Sequence, residues 1–180
     1  MLFETDRIKL RKMTEKDIEV YNKWSNDEEV IKNTYPNMDR YSMHDTEQFY
    51  KKISGSSNSR TYIIEVKEAG LPIGITTLLN IDFFNRNAEF IIDIGEKEYW
   101  GGGYGKEALT LMLDLAFKEL NLHRVFLRVF SFNERAIRLY EKIGFQHEGR
   151  MKEAIFRDGS WYDIVIMGIL QRDYYYKVVQ

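Results

Sequence analysis

Residues 100–108, Trp-Gly-Gly-Gly-Tyr-Gly-Lys-Glu-Ala, carry four glycines in six positions, after an apolar run that ends at Ile94 and before an amphipathic segment. Glycine loses more backbone entropy on folding than any other residue, so this density calls for a structural or chemical return. One return is anion binding: N–H groups converging at a helix start, unobstructed by Cβ atoms and aided by the helix dipole, cradle phosphate. The other is a tight strand-to-helix turn that binds nothing, and the glycines alone do not separate the two. Other chemistry is narrowed by composition. With no cysteine there is no thiolate nucleophile, disulfide or cysteine-ligated metal, and His44, His123 and His147 lack ligand spacing, so no metal is expected.

The elements that must position this loop follow from periodicity. Arg7 to Arg11 alternates with period two and reads as a strand. Thr14, with Asp17 three residues on, starts a helix whose stripe is Ile18, Tyr21 and Trp24, and a second helix runs from about Ser42 to Ile53. Thr61 to Val66, Ile73 to Leu79 and Ala88 to Ile94 form an antiparallel meander. Lys106 to Leu120 is a helix buried through Ala108, Leu109, Met112, Leu115 and Ala116. Arg124 to Phe130 is a strand, and Glu134 to Ile143 is a helix stopped by Gly144. Met151 to Phe156 and Tyr162 to Leu170 pair around Asp158-Gly159.

The 180 residues, 44% hydrophobic, suit a single domain over 1–180 with one core. Net charge of −2 supplies no general basic field, so nucleic acid is not an expected partner. No run is long and apolar enough for a membrane span, and the reading is a soluble, cytoplasmic protein.

This order, with a glycine turn after the fourth strand, resembles the Gcn5-related N-acetyltransferase superfamily. Its first motif, Gln or Arg, two residues, Gly, one residue, then Gly or Ala, stands here as Trp100-Gly101-Gly102-Gly103-Tyr104-Gly105, with Trp100 departing from the first position. The aromatic-glycine entry looks like the ribosomal-protein N-acetyltransferase branch. The second motif is present as Asn133, Ala136, Tyr140, Gly144 and Phe145. The resemblance implies an α/β (α+β) fold: a central mixed, mostly antiparallel sheet of about six or seven strands with roughly four flanking helices.

It also implies a site. Acetyl-coenzyme A would rest its pyrophosphate on backbone amides of Gly101, Gly102, Gly103, Tyr104, Gly105 and Lys106, beside Trp100, and pair its pantetheine arm with the backbone of Ile92, Asp93 and Ile94. Lys106 and Lys142 would lie near phosphate or simply face solvent. Asn133 would cap its helix, bond the pantetheine amide, or both. Tyr140 matches the family tyrosine that protonates the departing thiolate. Glu89 falls where relatives place an acid that contacts the substrate amine, often through water; Asp93 shares its strand face, nearer the loop.

The acceptor is left open between a protein N-terminal α-amine and a small polyamine or diamine, with amino-sugar nucleotides and aminoglycosides as alternatives. Acceptor contacts, Tyr35 among them, are expected from Asn26 to Tyr41, from Asn80 to Arg86 and from the last hairpin. Asp27-Glu28-Glu29 would attract a polycation or form a solvated surface, while Arg86 and Trp161 would suit a nucleotide sugar. Asn33 to Met38 departs from the acidic aromatic segment of spermidine acetyltransferases, which counts against their regulatory polyamine site. A different class, a non-catalytic coenzyme A sensor, would have lost Glu89 and Tyr140, and both are present. A homo-oligomer is possible, with Tyr174-Tyr175-Tyr176 as a packing segment on the domain or a partner.

Overall fold

A seven-stranded sheet of order β1-β2-β3-β4-β5-β7-β6 organises the chain, as described for residues 2–178 in a computed structural model. The strands are β1 (Ile8–Arg11), β2 (Arg60–Val66), β3 (Leu71–Asp82), β4 (Asn87–Ile94), β5 (Arg124–Phe130), β6 (Gln146–Arg157) and β7 (Ser160–Leu170). Every neighbouring pair is antiparallel except β4 and β5, which are parallel.

Both faces of the sheet are covered where the hydrophobic runs are continuous, which is why β2 is buried from Thr61 to Val66. On one face α4 (Tyr104–Asp114) and α5 (Glu134–Ile143) pack through Ala108, Leu109, Met112 and Tyr140 on Ile64, Ile73, Phe90 and Leu127. On the other, α1 (Ile18–Ser25) and α3 (Met43–Ser54) bring Ile18, Tyr21, Phe49 and Ile53 onto Met13, Ile63 and Ile75. Local signals set the helix ends. Ser42 and Asp45 form a reciprocal capping box before α3, and Gly144, at φ 120°, ends α5. Asp158 and Gly159 both take positive φ, the backbone of a tight hairpin turn.

The sheet answers the sequence reading, but the helices number six among the described residues rather than four. A short α2 (Glu28–Ile31) is capped by Asp27, whose carboxylate accepts from the amides of Glu29 (3.0 Å) and Val30 (3.4 Å). A terminal α6 (Gln171–Val178) docks on the domain because Tyr174 is buried and its hydroxyl donates to Asp114 at 2.9 Å. The glycine-loop helix starts at Tyr104 and widens to a π-helix over Leu115–Glu119. β6 begins five residues before Met151, since an outer strand exposed from Gln146 to Glu153 shows no alternation to read.

One close approach aligns the strands at the functional end. A Cβ on Gly74 would lie 2.3 Å from the Asp93 carbonyl oxygen, so only glycine lets β3 close on β4 there. Gly74→Ala is expected to destabilise the fold by about 1–3 kcal/mol through this overpacking, read as a lowered midpoint in urea unfolding.

Candidate active site

β4 creates the site by losing a partner halfway along. Its β3 edge is paired to Ile94, but its β5 edge is paired only from Asn87 to Glu89, against Arg124 to Phe126. Beyond that point the pairing with β5 ends, and the freed end of β4 lines a cleft of about 450 Å³ with the glycine loop and α5. The Gly95 amide donates to Ile73 across β3, so by alternation Asp93 turns its backbone groups to β3 while Ile92 and Ile94 turn theirs into the cleft. One of these outward groups is occupied: the Trp100 indole N–H donates to the Ile94 carbonyl at 2.8 Å. Among the described residues the Ile92 N–H and carbonyl and the Ile94 N–H have no backbone partner, which leaves an incomplete strand edge.

The glycine loop delivers α4 to the same cleft. Gly101 (φ 79°) and Gly103 (φ 87°) hold left-handed conformations that L side chains rarely adopt, and Gly103 is the residue from which α4 starts. Gly105 needs no such conformation. A Cβ there would meet only Ile94 Cγ1, at 3.9 Å, so its absence leaves space along the cleft. Arg7 stabilises the loop from below: it donates to the Gly102 carbonyl at 3.0 Å, stacks 4.4 Å from the Tyr104 ring and pairs with Glu107. Thr5 also donates to Glu107, at 2.6 Å, so the first-turn acid is drawn away from any anion at the helix start.

Lys106, Arg135, Arg138 and Lys142 line the cleft beside these amides. Arg135 and Arg138 escaped the sequence reading, although the spacing 135, 138, 142 places three cations on one helical face. Arg7 also escaped it, because period-two alternation assigns it only to an outward position. Asn133 caps α5 by accepting from the Ala136 amide at 3.3 Å, and its amide group donates to the Asn33 carbonyl at 3.4 Å. An incomplete strand edge, two left-handed glycines at a helix start and four cations fit a donor with an amide-bearing arm and a pyrophosphate.

Tyr140 is buried in the cleft wall, and burial, reinforced by the nearby Asp93 charge, pushes its phenol well above the ordinary tyrosine range. Asp93 lines the same cleft. Its Oδ1 is sealed from solvent without a hydrogen-bond partner, and burial, partly offset by the Thr34 hydroxyl, raises its carboxyl to about 6. Tyr35 also feels that charge, and its hydroxyl bonds to Tyr21 (3.1 Å) and Ser25 (3.2 Å).

Glu89 is placed otherwise than expected of a substrate-facing base. It is buried, is absent from the cleft lining, and accepts from Arg128 through both oxygens, at 2.7 and 3.0 Å. Two other acceptor-side expectations meet paired groups, and a third, Trp161, lies outside the cleft lining. Lys97 bridges Asp27 and Glu29 while Arg40 pairs with Glu28, so the acidic run is neutralised internally. Arg86 donates twice to Asn121, and Trp161 packs on Phe156 at the far hairpin. A larger cavity of about 800 Å³ lies between α2 and that hairpin; its Lys32 and Asp158 pair with each other, and it holds none of the motif residues.

Residues 7–146 match the family model of the acetyltransferase (GNAT) domain. The chain belongs to this family. Its activity is acetyl transfer from acetyl-coenzyme A to an amine. Over 133 residues it is 35% identical to spermidine N(1)-acetyltransferase of Vibrio cholerae, spanning 74% of this chain and 76% of that one. It is 32% identical to the uncharacterized N-acetyltransferase p20 of Bacillus licheniformis over 94% of this chain and 96% of that one. Among solved structures, the Vibrio cholerae spermidine N-acetyltransferase in complex with CoA and spermine superposes with a TM-score of 0.87 at 29% identity, covering 95% of this chain and 99% of that one. Among the described residues no helix is long and apolar enough to cross a membrane, and no cluster of His, Asp and Glu could hold a metal ion.

The two glycine roles separate experimentally. Gly103→Ala forces a side chain into positive φ and is expected to cost about 1–2 kcal/mol of stability together with coenzyme A affinity. Gly105→Ala meets no protein clash, so it should leave the unfolding midpoint unchanged while weakening calorimetric coenzyme A binding about tenfold.

Proposed function

We propose that this enzyme acetylates a short alkyl amine of the polyamine or diamine class. Support comes from the spermidine acetyltransferases among its relatives and from an anionic end point in the cleft: the Asp93 carboxylate has no cation paired with it among the described residues. The neutralised Asp27-Glu28-Glu29 run is no part of this attraction. The departure at Asn33 to Met38 likewise keeps the regulatory polyamine site of spermidine acetyltransferases out of the reading. Self-association belongs to it, since a solved structure of the Vibrio cholerae enzyme is dodecameric.

When bound, acetyl-coenzyme A supplies an activated acetyl thioester. The outward amides of Ile92 and Ile94 hold its arm by strand addition, the α4 start with Lys106 receives its pyrophosphate, and Arg135, Arg138 and Lys142 face its remaining phosphate. Tyr140 then works as an acid. Its phenol stays protonated across the working pH range, so it can pass a proton to the departing sulfur and recover one from the nitrogen being acylated. Glu89 holds Arg128 and through it the point where β4 and β5 part.

Tyr140→Phe should lower kcat about 100-fold, the low end for a general acid because a thiolate leaves readily, with calorimetric coenzyme A affinity unchanged. An unchanged kcat overturns the acid role. The acceptor is tested by measuring released thiol with spermidine, spermine, diamines, N-terminal peptides, aminoglycosides and amino-sugar nucleotides. A polyamine or diamine should lead in kcat/KM by about tenfold or more; a peptide or amino sugar in first place would overturn that assignment.

A further inference from the structure

An alkyl ammonium, with a pKa of about 10.4, must lose a proton before its nitrogen can attack a thioester, so the acceptor side of the cleft needs a carboxylate able to take one. Two acids share the relevant face of β4, and their surroundings divide them. Glu89 sits where the strands are still paired and gives both oxygens to Arg128, with its side chain only 8% exposed. Both of its oxygens are thus already engaged, and it does not line the cleft. Asp93 sits four residues on, in the cleft wall, with Oδ1 unpartnered and sealed. The Thr34 hydroxyl bonds to it, the phenols of Tyr21 on α1, Tyr35 after α2 and Tyr140 on α5 lie near enough to feel its charge, and its β3 neighbour is Ile75.

We propose that Asp93, rather than Glu89, binds the acceptor ammonium and takes its proton. The inference rests on the alkyl-amine reading above. Asp93 accepts one proton from the ammonium, and the freed lone pair forms the C–N bond as the C–S bond breaks. Tyr140 protonates the sulfur and regains a proton from the new amide nitrogen, and Asp93 releases its proton to solvent. The net products are the acetamide, free thiol and one proton. Burial that pushes the Asp93 carboxyl up to about 6 and the Tyr140 phenol well above its ordinary range is consistent with that division of base and acid.

Burial without a counter-charge carries a signature independent of turnover. Because the folded-state pKa lies above the unfolded value of about 3.9, the associated stability is fully present below that value and is lost as pH rises through about 6. Asp93→Asn should therefore gain stability relative to wild type between about pH 4 and about pH 7 in denaturant unfolding of the ligand-free protein. A carboxylate held by structural hydrogen bonds would shift the other way. With the best acceptor of the screen, Asp93→Asn should lower kcat about 100-fold or more, abolish the acid limb of kcat/KM and leave coenzyme A affinity intact, while Glu89→Gln keeps that limb. An acid limb that survives in Asp93→Asn, or relative stability that falls with pH, overturns the proposal. Carboxyl-carbon NMR titration of wild type reads Asp93 even if the variant does not fold, and a midpoint at or below the ordinary aspartate value also overturns it. The unfolding and NMR arms need no acceptor, so failure of the polyamine reading would show in the screen alone.

Discussion

The ion pair between Glu89 and Arg128 stands at the fork on which the rest of the site depends. Glu89 is the last residue of β4 still paired with β5, and Arg128 lies two residues beyond its strand partner Phe126. Above this point two strands share a ladder; below it they separate. Separation would expose unpaired backbone to an apolar core if the gap were dry, so a parted sheet persists only where the gap faces water or a ligand with its own amides. The bidentate guanidinium fixes the parting position, and a buried carboxylate without it would have no counter-charge. From that position follow the open Ile92 and Ile94 groups, the approach of α4 through the glycine loop and the place of Tyr140.

The parted strands also divide charge. Four cations and a helix start gather on the donor side, and the one acid in the first turn of α4 is taken up by Arg7 and Thr5. On the acceptor side Asp93 sits among hydroxyls. The cations and the unpaired carboxylate thus occupy different parts of one cleft lining.

Much of this was legible in the sequence because its determinants are local. Glycine density, the change from period two to three-and-four spacing, the Asn133 cap and the Asp158-Gly159 turn each act within a few residues. What escaped depends on distant partners. Alternation placed Glu89, Ile91 and Asp93 on one face, but Glu89 was distinguished from Asp93 by a guanidinium 39 residues away on another strand. Arg7 finds Glu107 across 100 residues, and the Asp27 cap was hidden inside what looked like a simple acidic run. The outer strand β6 offered no pattern, since neither of its faces is buried from Gln146 to Glu153.

Trp100, the one departure from the family's glycine motif, has a mechanical consequence. A guest strand added to a β edge can slip by two residues without changing which side its groups face. The indole, by occupying the Ile94 carbonyl, blocks the rung onto which such a slip would move. In the proposed mode of binding the cleft would act as a gauge with a fixed stop, the strand rather than the length of the arm setting the depth at which that arm rests.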